Sequence, residues 1–429
     1  MKLQKNIFPL SDNVKLVFRT LSYRNYRLFF IGNGLSMIGN WMQQIAISWL
    51  VYRLTGSSLL LGIVAFAGLF PGFILMPLAG VLTDRWNRRR ILLVSQILAT
   101  LQALALTFLV MTDMITVWHI LLLSVFFGLI SAFDIPARQS FVVDLIGKRE
   151  DLGSAIALNS ALFNCARLLG PSLAGVTIAV VGEGICFFLN ALSYVAFIAT
   201  LILVKIEHAP NTGSDTDIFS GFRAGFKYAF GFLPVRALLL LMGLVGLMGM
   251  SYAVLLPVFA KDIFHGGPHT LGFLTAAAGV GGLTASLYLA SRRTVLGLGR
   301  LVPISAGIFG LGLMLFSISR VFWISFCLLI PVGFGMMVHL ALTNTILRTV
   351  VADDMRGRVM SFFAMAFMGT VPLGSLMAGW LADSIGVSWT LIIGGLCCVL
   401  ASFAYERQLP LLRDMVRPVY KKMGILNER

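Results

Sequence analysis

GVLTDRWNRRR, residues 80–90, places one acid and four arginines within seven residues, between apolar runs at 59–81 and 91–111. Each flanking run is about as long as the ~20 residues that a helix needs to cross a bilayer. Such a charged cluster can bind nucleic acid, orient a membrane span, or form a contact that moves during function. The remainder of the chain decides among these three interpretations.

The composition is that of a protein whose surroundings are lipid. Of the 429 residues, 58% are hydrophobic and only 12% are charged, which is more apolar surface than a soluble domain can bury. The net charge of +15 would indicate an acidic partner in a soluble protein, but cytoplasmic loops of membrane proteins carry an excess of Lys and Arg. The five cysteines lie in apolar runs without metal-site spacing, so we expect no metal centre.

Twelve apolar runs are long enough to be membrane spans, and the polar stretch EHAPNTGSDTD separates the first six from the last six. The runs are 28–52, 59–81, 91–111, 116–133, 154–181, 184–204, 237–260, 270–290, 301–319, 321–345, 359–382 and 387–405. We therefore predict an all-α integral membrane protein with twelve transmembrane helices in two pseudo-symmetric six-helix bundles. The predicted parts are an N-terminal segment (1–27), an N-terminal bundle (28–204), a linker (205–236), a C-terminal bundle (237–405) and a tail (406–429).

The distribution of basic residues predicts the orientation of these spans. All but four of the 33 Lys and Arg residues fall on the side of the N-terminus; the exceptions are Arg53, Lys261 and Arg320 in the opposite loops and Arg167 inside a span. Because basic loops stay in the cytoplasm, both termini and the 80–90 cluster are predicted to be cytoplasmic. This excludes a nucleic-acid site and leaves a topology signal or a moving contact.

The two predicted bundles repeat short motifs. GSSLLLG at 56–62 matches GGPHTLG at 266–272, and GPSLAG at 170–175 matches GSLMAG at 374–379. Internal repeats on either side of a linker are typical of secondary transporters, which bind their substrate near the middle of the membrane.

The cluster at 80–90 resembles the G-x-x-x-D-R-x-G-R-R signature of the major facilitator superfamily. The matching residues are Gly80, Asp84, Arg85, Arg88 and Arg89. The resemblance implies a conformational latch, in which an acid near Asp134 and arginines near Arg356 and Arg358 commonly take part. Asp134 could instead cap a helix that ends before Pro136, and the arginines of the cluster could serve topology alone.

Asn87 replaces the usual glycine of that signature, and we expect the turn to survive because Asn tolerates a positive φ. The equivalent loop of the second half has only Ser291, Arg292 and Arg293 and no Asp. The latch is therefore expected to be degenerate in that half. No carboxylate lies near the middle of a predicted span, which leaves the coupling ion open.

The fifth predicted span carries a polar face and a glycine–proline motif. Asn164, Arg167 and Pro171 lie on one helical face, and Gly170-Pro171 with Gly175 resembles the antiporter motif of the superfamily. Packing through glycines is the alternative. A cation within a span is costly, so Arg167 is predicted to face a wet cavity, an anionic substrate group or a mobile acid, unless it reaches an interface.

Other polar residues in the spans are candidates for the substrate or proton path, with contacts between helices as the alternative. They are Asn33, Asn40 and Gln44 in the first span and His339 and Asn344 in the tenth. His339 is included because histidine titrates near neutral pH.

The segment 24–62, with RNYRLFF, W-x-Q-Q and the later D-R-x-x-R-R loop, resembles the bacterial drug and siderophore exporters described as transmembrane secretion effectors. The resemblance implies a monomer of the bacterial inner membrane that exports a small amphiphilic molecule by alternating access, with proton antiport and without a cofactor. An importer or a lipid transporter of the same fold is an alternative. A membrane enzyme or receptor is a further one, although the sequence contains no catalytic motif.

Overall fold

The computed structural model describes residues 19–146, 149–204, 218–292 and 297–422, and within these ranges the regular elements are all helical. The first half contains α1 (Arg24–Thr55), α2 (Ser58–Arg85), α3 (Arg88–Met111), α4 (Val117–Asp144), α5 (Leu152–Val181) and α6 (Glu183–Leu203). The short α7 (Ile218–Gly231) follows. The second half contains α8 (Leu233–Ile263), α9 (Pro268–Ser291), α10 (Leu298–Ile318), α11 (Phe322–Val350), α12 (Asp353–Ile385) and α13 (Val387–Lys422).

Helix ends follow local capping chemistry. Gly56 adopts a left-handed conformation that ends α1 (φ 62°), and the Ser57 hydroxyl accepts a hydrogen bond from the Leu60 amide at the start of α2. The Asn87 side chain likewise accepts a hydrogen bond from the Arg90 amide, at 3.1 Å. Asn87 has a φ of −67°, so the expected positive-φ turn is wrong; the residue is the N-cap of α3.

Eleven of the described helices are long and apolar enough to cross a membrane. The remaining long helix, α1, has 32 residues and would span about 48 Å, but its amide side chains lower its apolar character. Several helices extend beyond the predicted spans. α4 continues through Pro136 to Asp144, and α13 continues through the predicted start of the tail to Lys422. α7 lies within the segment predicted as a linker.

The two halves use the same pairs of helices to build their cores. Helix α1 packs on α5 and α6, α2 on α4, and α3 on α6; the corresponding helices of the second half pack in the same way, α9 on α11 and α10 on α13 among them. The halves meet along α2 and α12 and along α5 and α9. The predicted architecture of two pseudo-symmetric six-helix bundles is confirmed.

Alternating helix direction gives the molecule two faces. The basic face carries the α2–α3, α4–α5 and α11–α12 connections together with α7; the distal face carries the α1–α2, α5–α6, α8–α9 and α12–α13 connections. Near the distal face the halves touch through backbone. A Cβ at Gly272 of α9 would lie 2.5 Å from the Pro171 carbonyl oxygen of α5, and one at Gly62 of α2 would lie 2.5 Å from the Ser375 carbonyl oxygen of α12.

Candidate functional site: gates and central pathway

Two carboxylates join the halves at the distal face. The Ser58 amide donates to Asp383 Oδ1 at 2.8 Å, and the Ser57 hydroxyl donates to Asp383 Oδ2 at 3.0 Å. Asp383 of α12 therefore accepts an otherwise unpaired amide at the N-terminus of α2, where the helix dipole also favours a negative charge. The Tyr52 hydroxyl of α1 donates to Asp262 of α8, and the Lys261 ammonium lies 5.3 Å from the centre of the Tyr52 ring.

These distal contacts were not predicted as functional. The sequence offered one signal, because Tyr52 and Asp262 are separated by 210 residues, the offset between GSSLLLG and GGPHTLG. A third distal pair, between Arg53 Nε and Glu183 Oε1 at 2.8 Å, lies within the first half alone. The distal face therefore contains both an internal ion pair and contacts that cross between the halves.

The described part of the predicted latch makes contacts within the first half. Arg88 Nη1 lies 2.7 Å from Asp144 Oδ1 at the end of α4. Arg89 donates through Nε and Nη2 to the carbonyl oxygens of Leu201 and Ile202 at the end of α6, both at 2.8 Å. Gly80, Asp84 and Arg85 belong to the last turns of α2, but their side chains and contacts lie outside what the structure describes. The structure thus pairs Arg88 with Asp144.

Contacts at the start of α5 also stay within the first half. The buried carboxylate of Asp151 accepts hydrogen bonds from Arg19 Nε at 2.8 Å and from the Tyr23 hydroxyl at 2.9 Å. These hydrogen bonds are the main reason that the pKa of the Arg19 guanidinium and the pKa of the Tyr23 phenol are raised. The segment that precedes α1 is thereby attached to α5.

Asp134 takes part in a buried network rather than capping a helix. Because α4 runs ten residues past Asp134, the carboxylate lies about 15 Å from the helix end. It pairs with Arg138 and accepts a hydrogen bond from Gln96 Nε2 at 2.7 Å. Arg138 also donates to Asn33 Oδ1 at 2.6 Å and to Ser36 Oγ at 3.1 Å. The carboxylate therefore lies well inside a helix, whereas the sequence analysis placed it at the end of one.

The reason for that error is Pro136. A proline normally ends a soluble helix, but a helix packed among neighbours in a membrane tolerates it. The sequence analysis therefore placed Arg138 in a loop, whereas it lies inside α4. Arg138 is buried and lies over the Phe197 ring, with its guanidinium carbon 4.7 Å from the ring centre.

The arginines before the eleventh predicted span stay within the second half. Arg356 pairs with Asp353 one turn earlier and donates to the Arg348 carbonyl oxygen at 3.0 Å. Arg358 Nη1 lies 3.5 Å from the sulfur of Met355. These contacts link neither arginine to Arg88 or to Asp134.

The predicted antiporter-type motif makes two different packing contacts along α5. A Cβ at Gly170 would lie 3.0 Å from the Ile38 carbonyl oxygen of α1, so this glycine permits close packing inside the first half. Gly175 instead meets α9, where a Cβ would lie 2.9 Å from the Pro268 carbonyl oxygen. Pro171 lies in an uninterrupted α5. The motif therefore brings α1, α5 and α9 together.

The predicted polar face of α1 divides into buried and exposed parts. Asn33 donates to Asn159 Oδ1 at 3.1 Å in addition to accepting from Arg138, and Asn40 accepts a hydrogen bond from Tyr194. Gln44 is exposed. Asn33 and Asn40 thus bridge helices, which agrees with the structural alternative for this face.

His339 and Asn344 are not brought together with the α1 face. His339 is buried, and neither ring nitrogen has a hydrogen-bond partner among the described residues. Asn344 Oδ1 accepts a hydrogen bond from Arg348 Nε at 2.7 Å, at an exposed position of α11. The predicted path residues therefore form separate groups.

Arg167 and Asn164 lie where the two halves meet. A Cβ at Gly282 of α9 would lie 3.7 Å from Arg167 Nη1 and 3.8 Å from Asn164 Oδ1. Asn164 Nδ2 donates to the Ser160 carbonyl oxygen at 2.9 Å and to Ser286 Oγ of α9 at 3.4 Å. Both predicted residues thus face the second half near the middle of α5.

Solved structures define the class of protein to which this arrangement belongs. One is a bacterial homologue of the human lysosomal transporter Spinster, in an inward-facing and unoccupied conformation. The match covers 92% of this chain and 98% of the homologue, with a TM-score of 0.65 and 14% identity. The match with the nucleoside transporter NupG covers 90% of this chain and 99% of NupG, with a TM-score of 0.67 and 13% identity. The fold is that of a major facilitator transporter.

Within that class, residues 17–417 match the family described as transmembrane secretion effector, and the chain belongs to it. The staphyloferrin A transporter of Staphylococcus aureus is 28% identical, over 90% of this chain and 97% of the relative. The multidrug efflux pump Tap of Mycolicibacterium fortuitum is 27% identical, over 88% and 93%. Macrolide efflux protein A of Streptococcus pyogenes is 24% identical, over 88% and 96%. The chain is a multi-pass membrane protein of a family of efflux transporters.

Proposed function

We propose that this protein exports a small amphiphilic molecule, such as a drug or a siderophore, across the bacterial inner membrane by alternating access. The basic face is cytoplasmic and the distal face opens to the outside. The excess of Lys and Arg on the basic face supports this orientation. The names of the relatives, which refer to a siderophore and to drugs, support the substrate range.

One observation indicates the face from which the substrate enters. The Asp383 and Asp262 contacts and the glycine contacts join the halves at the distal face, whereas the contacts that the structure describes for Arg88, Arg89 and Arg356 stay within one half. A transporter in this arrangement is closed on the distal side and accepts substrate from the basic side. In an exporter this is the loading state.

Asp134 is the proposed coupling group for proton antiport. Its carboxylate is buried. Arg138 is its partner in an ion pair, and Gln96 donates a hydrogen bond to it. Neutralising the carboxylate would remove the ion pair and leave the Arg138 guanidinium held by its hydrogen bonds to Asn33 and Ser36, on α1. The proton gradient thus supplies the energy, without a cofactor. One chain contains both halves, so we expect a monomer to suffice.

A susceptibility panel of drugs and siderophores, in a bacterial strain that lacks its major pumps, tests the proposal. We expect expression of the chain to lower the accumulation of at least one compound, and collapse of the proton gradient to remove that effect. Inverted membrane vesicles should then take up the same compound when they are energised. Uptake by right-side-out vesicles alone would indicate an importer, and lipid movement without drug export would indicate a lipid transporter.

A further inference from the structure

The meeting point of α5, α8 and α9 contains a cation with no acidic partner among the described residues. Arg167 is half-buried, and among the described residues it forms no ion pair. The phenol of Tyr252 on α8 lies close enough to interact with its guanidinium. Arg138, a buried cation of α4, has Asp134 beside it. An unpaired guanidinium in a membrane is costly, so this position favours an anion that arrives and leaves.

The neighbouring Asn164 presents an unused acceptor to the same space. The residue is only 3% exposed, and its Oδ1 has no hydrogen-bond partner among the residues that the structure describes. Its orientation is fixed, because Nδ2 donates to the Ser160 carbonyl oxygen, which can only accept. Oδ1 therefore points away from Ser160, and a Cβ placed at Gly282 would be in van der Waals contact both with it and with Arg167 Nη1.

The geometry points to a binding site for the transported molecule, at which Arg167 pairs with a carboxylate and Asn164 Oδ1 accepts a hydrogen bond from an N–H or O–H group next to that carboxylate. This inference rests on the proposed export function and names its substrate class: amphiphilic carboxylates with an adjacent hydrogen-bond donor. Guanidinium and carboxylate form short, charge-assisted hydrogen bonds, and an acceptor buried beside them selects for a donor.

The site is made by both halves, which connects its occupancy to the transport cycle. Arg167 and Asn164 belong to α5 of the first half, whereas Tyr252, Gly282 and Ser286 belong to α8 and α9 of the second. A ligand held between them contacts the surfaces that separate when the distal face opens. Its affinity therefore differs between the two states, which is the requirement for alternating access.

Binding of three matched probes to the purified full-length protein in nanodiscs tests the site. N-octanoylglycine has both the carboxylate and the adjacent N–H, N-octanoylsarcosine replaces that hydrogen by methyl, and N-octanoylglycine amide has no charge. We expect affinity to fall in that order for the wild-type protein. Calorimetry at concentrations below micelle formation provides the measurement.

Two variants separate the two interactions. Arg167→Gln should lower the affinity for both carboxylates about tenfold or more and leave the neutral amide unchanged. Asn164→Leu should remove most of the preference for N-octanoylglycine over N-octanoylsarcosine. Arg320→Gln, which removes an exposed cation of the α10–α11 connection, should change neither affinity nor preference. Gel filtration and thermal unfolding establish that each variant is folded.

Equal binding of N-octanoylglycine by wild type and by folded Arg167→Gln would overturn the inference, as would the absence of binding by the wild type at millimolar concentration. Vesicle transport distinguishes this failure from failure of the export function. Export of neutral or cationic drugs without carboxylate binding would leave the function standing and exclude the site. Carboxylate binding without export would leave the site standing and exclude the function.

Discussion

The distal and basic faces use charged residues in different ways. At the distal face, Asp383 and Asp262 of the second half accept hydrogen bonds from donors of the first half. At the basic face, Arg88, Arg89 and Arg356 attach helix ends to neighbours in the same half. The comparison teaches that a charged cluster at a helix end can stabilise one bundle or join two. The position of its partner, in the same half or in the other half, decides between these two roles. Four substitutions test this distinction.

The largest effect is expected within the first half. Arg138→Leu leaves the buried Asp134 without its partner and should lower the free energy of unfolding by about 3–5 kcal/mol. Thermal unfolding in detergent measures the change. The double variant Asp134→Leu/Arg138→Leu is the control and should regain most of the stability, because no unpaired charge remains. A double variant as unstable as the single one would contradict this account.

The next effect concerns the distal contact between the halves. In Gly272→Ala, the new methyl group would lie 2.5 Å from a carbonyl oxygen of α5 and 2.9 Å from Gly175 Cα, so the halves can close only with strain of about 1–3 kcal/mol. We expect distances across the distal face, measured between spin labels in a cysteine-free chain, to shift to longer values.

Gly357→Ala is the matched control, because a Cβ at that position on α12 would have no heavy atom within 4 Å. Its distance distribution should equal that of the wild-type protein. The same distribution for Gly272→Ala would show that α5 and α9 tolerate separation and do not govern closure.

A smaller effect is expected from the distal carboxylate itself. Asp383→Leu removes the acceptor of the Ser58 amide and the Ser57 hydroxyl, but the exposed position of Asp383 limits the loss to about 1 kcal/mol. The distal-open population should therefore rise several-fold in the same spin-label experiment. Glu183→Gln, which breaks a distal pair inside one half, should leave that population unchanged; an equal rise in both variants would refute the distinction.

The smallest effect is expected at the basic face. Arg88→Gln weakens the partly buried pair with Asp144 and should lower stability by about 1 kcal/mol or less. Because that pair stays within the first half, the distal distance distribution should remain that of the wild type. A clear shift toward the distal-open state would mean that Arg88 also acts between the halves.

The sequence by itself determined the architecture, because lipid imposes simple rules. A span must be a run of apolar residues, and basic residues concentrate in the loops on one side of the membrane. The motif around Asp84 and the segment at 24–62 also determined the family. The predictions from local residue preferences were wrong at two places. Pro136 did not end α4, and Asn87 capped a helix instead of forming a positive-φ turn.

Only the tertiary structure decided which polar residues meet. The sequence marked Asn33, Asn40, Asp134 and Arg167, but it could not show that Asn33 and Asp134 share Arg138 whereas Arg167 pairs with no carboxylate in the described part of the chain. It also did not mark Asp383, whose partner lies 325 residues away at Ser58. Hydropathy and charge are properties of single segments, and segments far apart in the chain meet only through helix packing. That packing determines whether a charge stabilises a bundle, closes a face or remains available for a ligand.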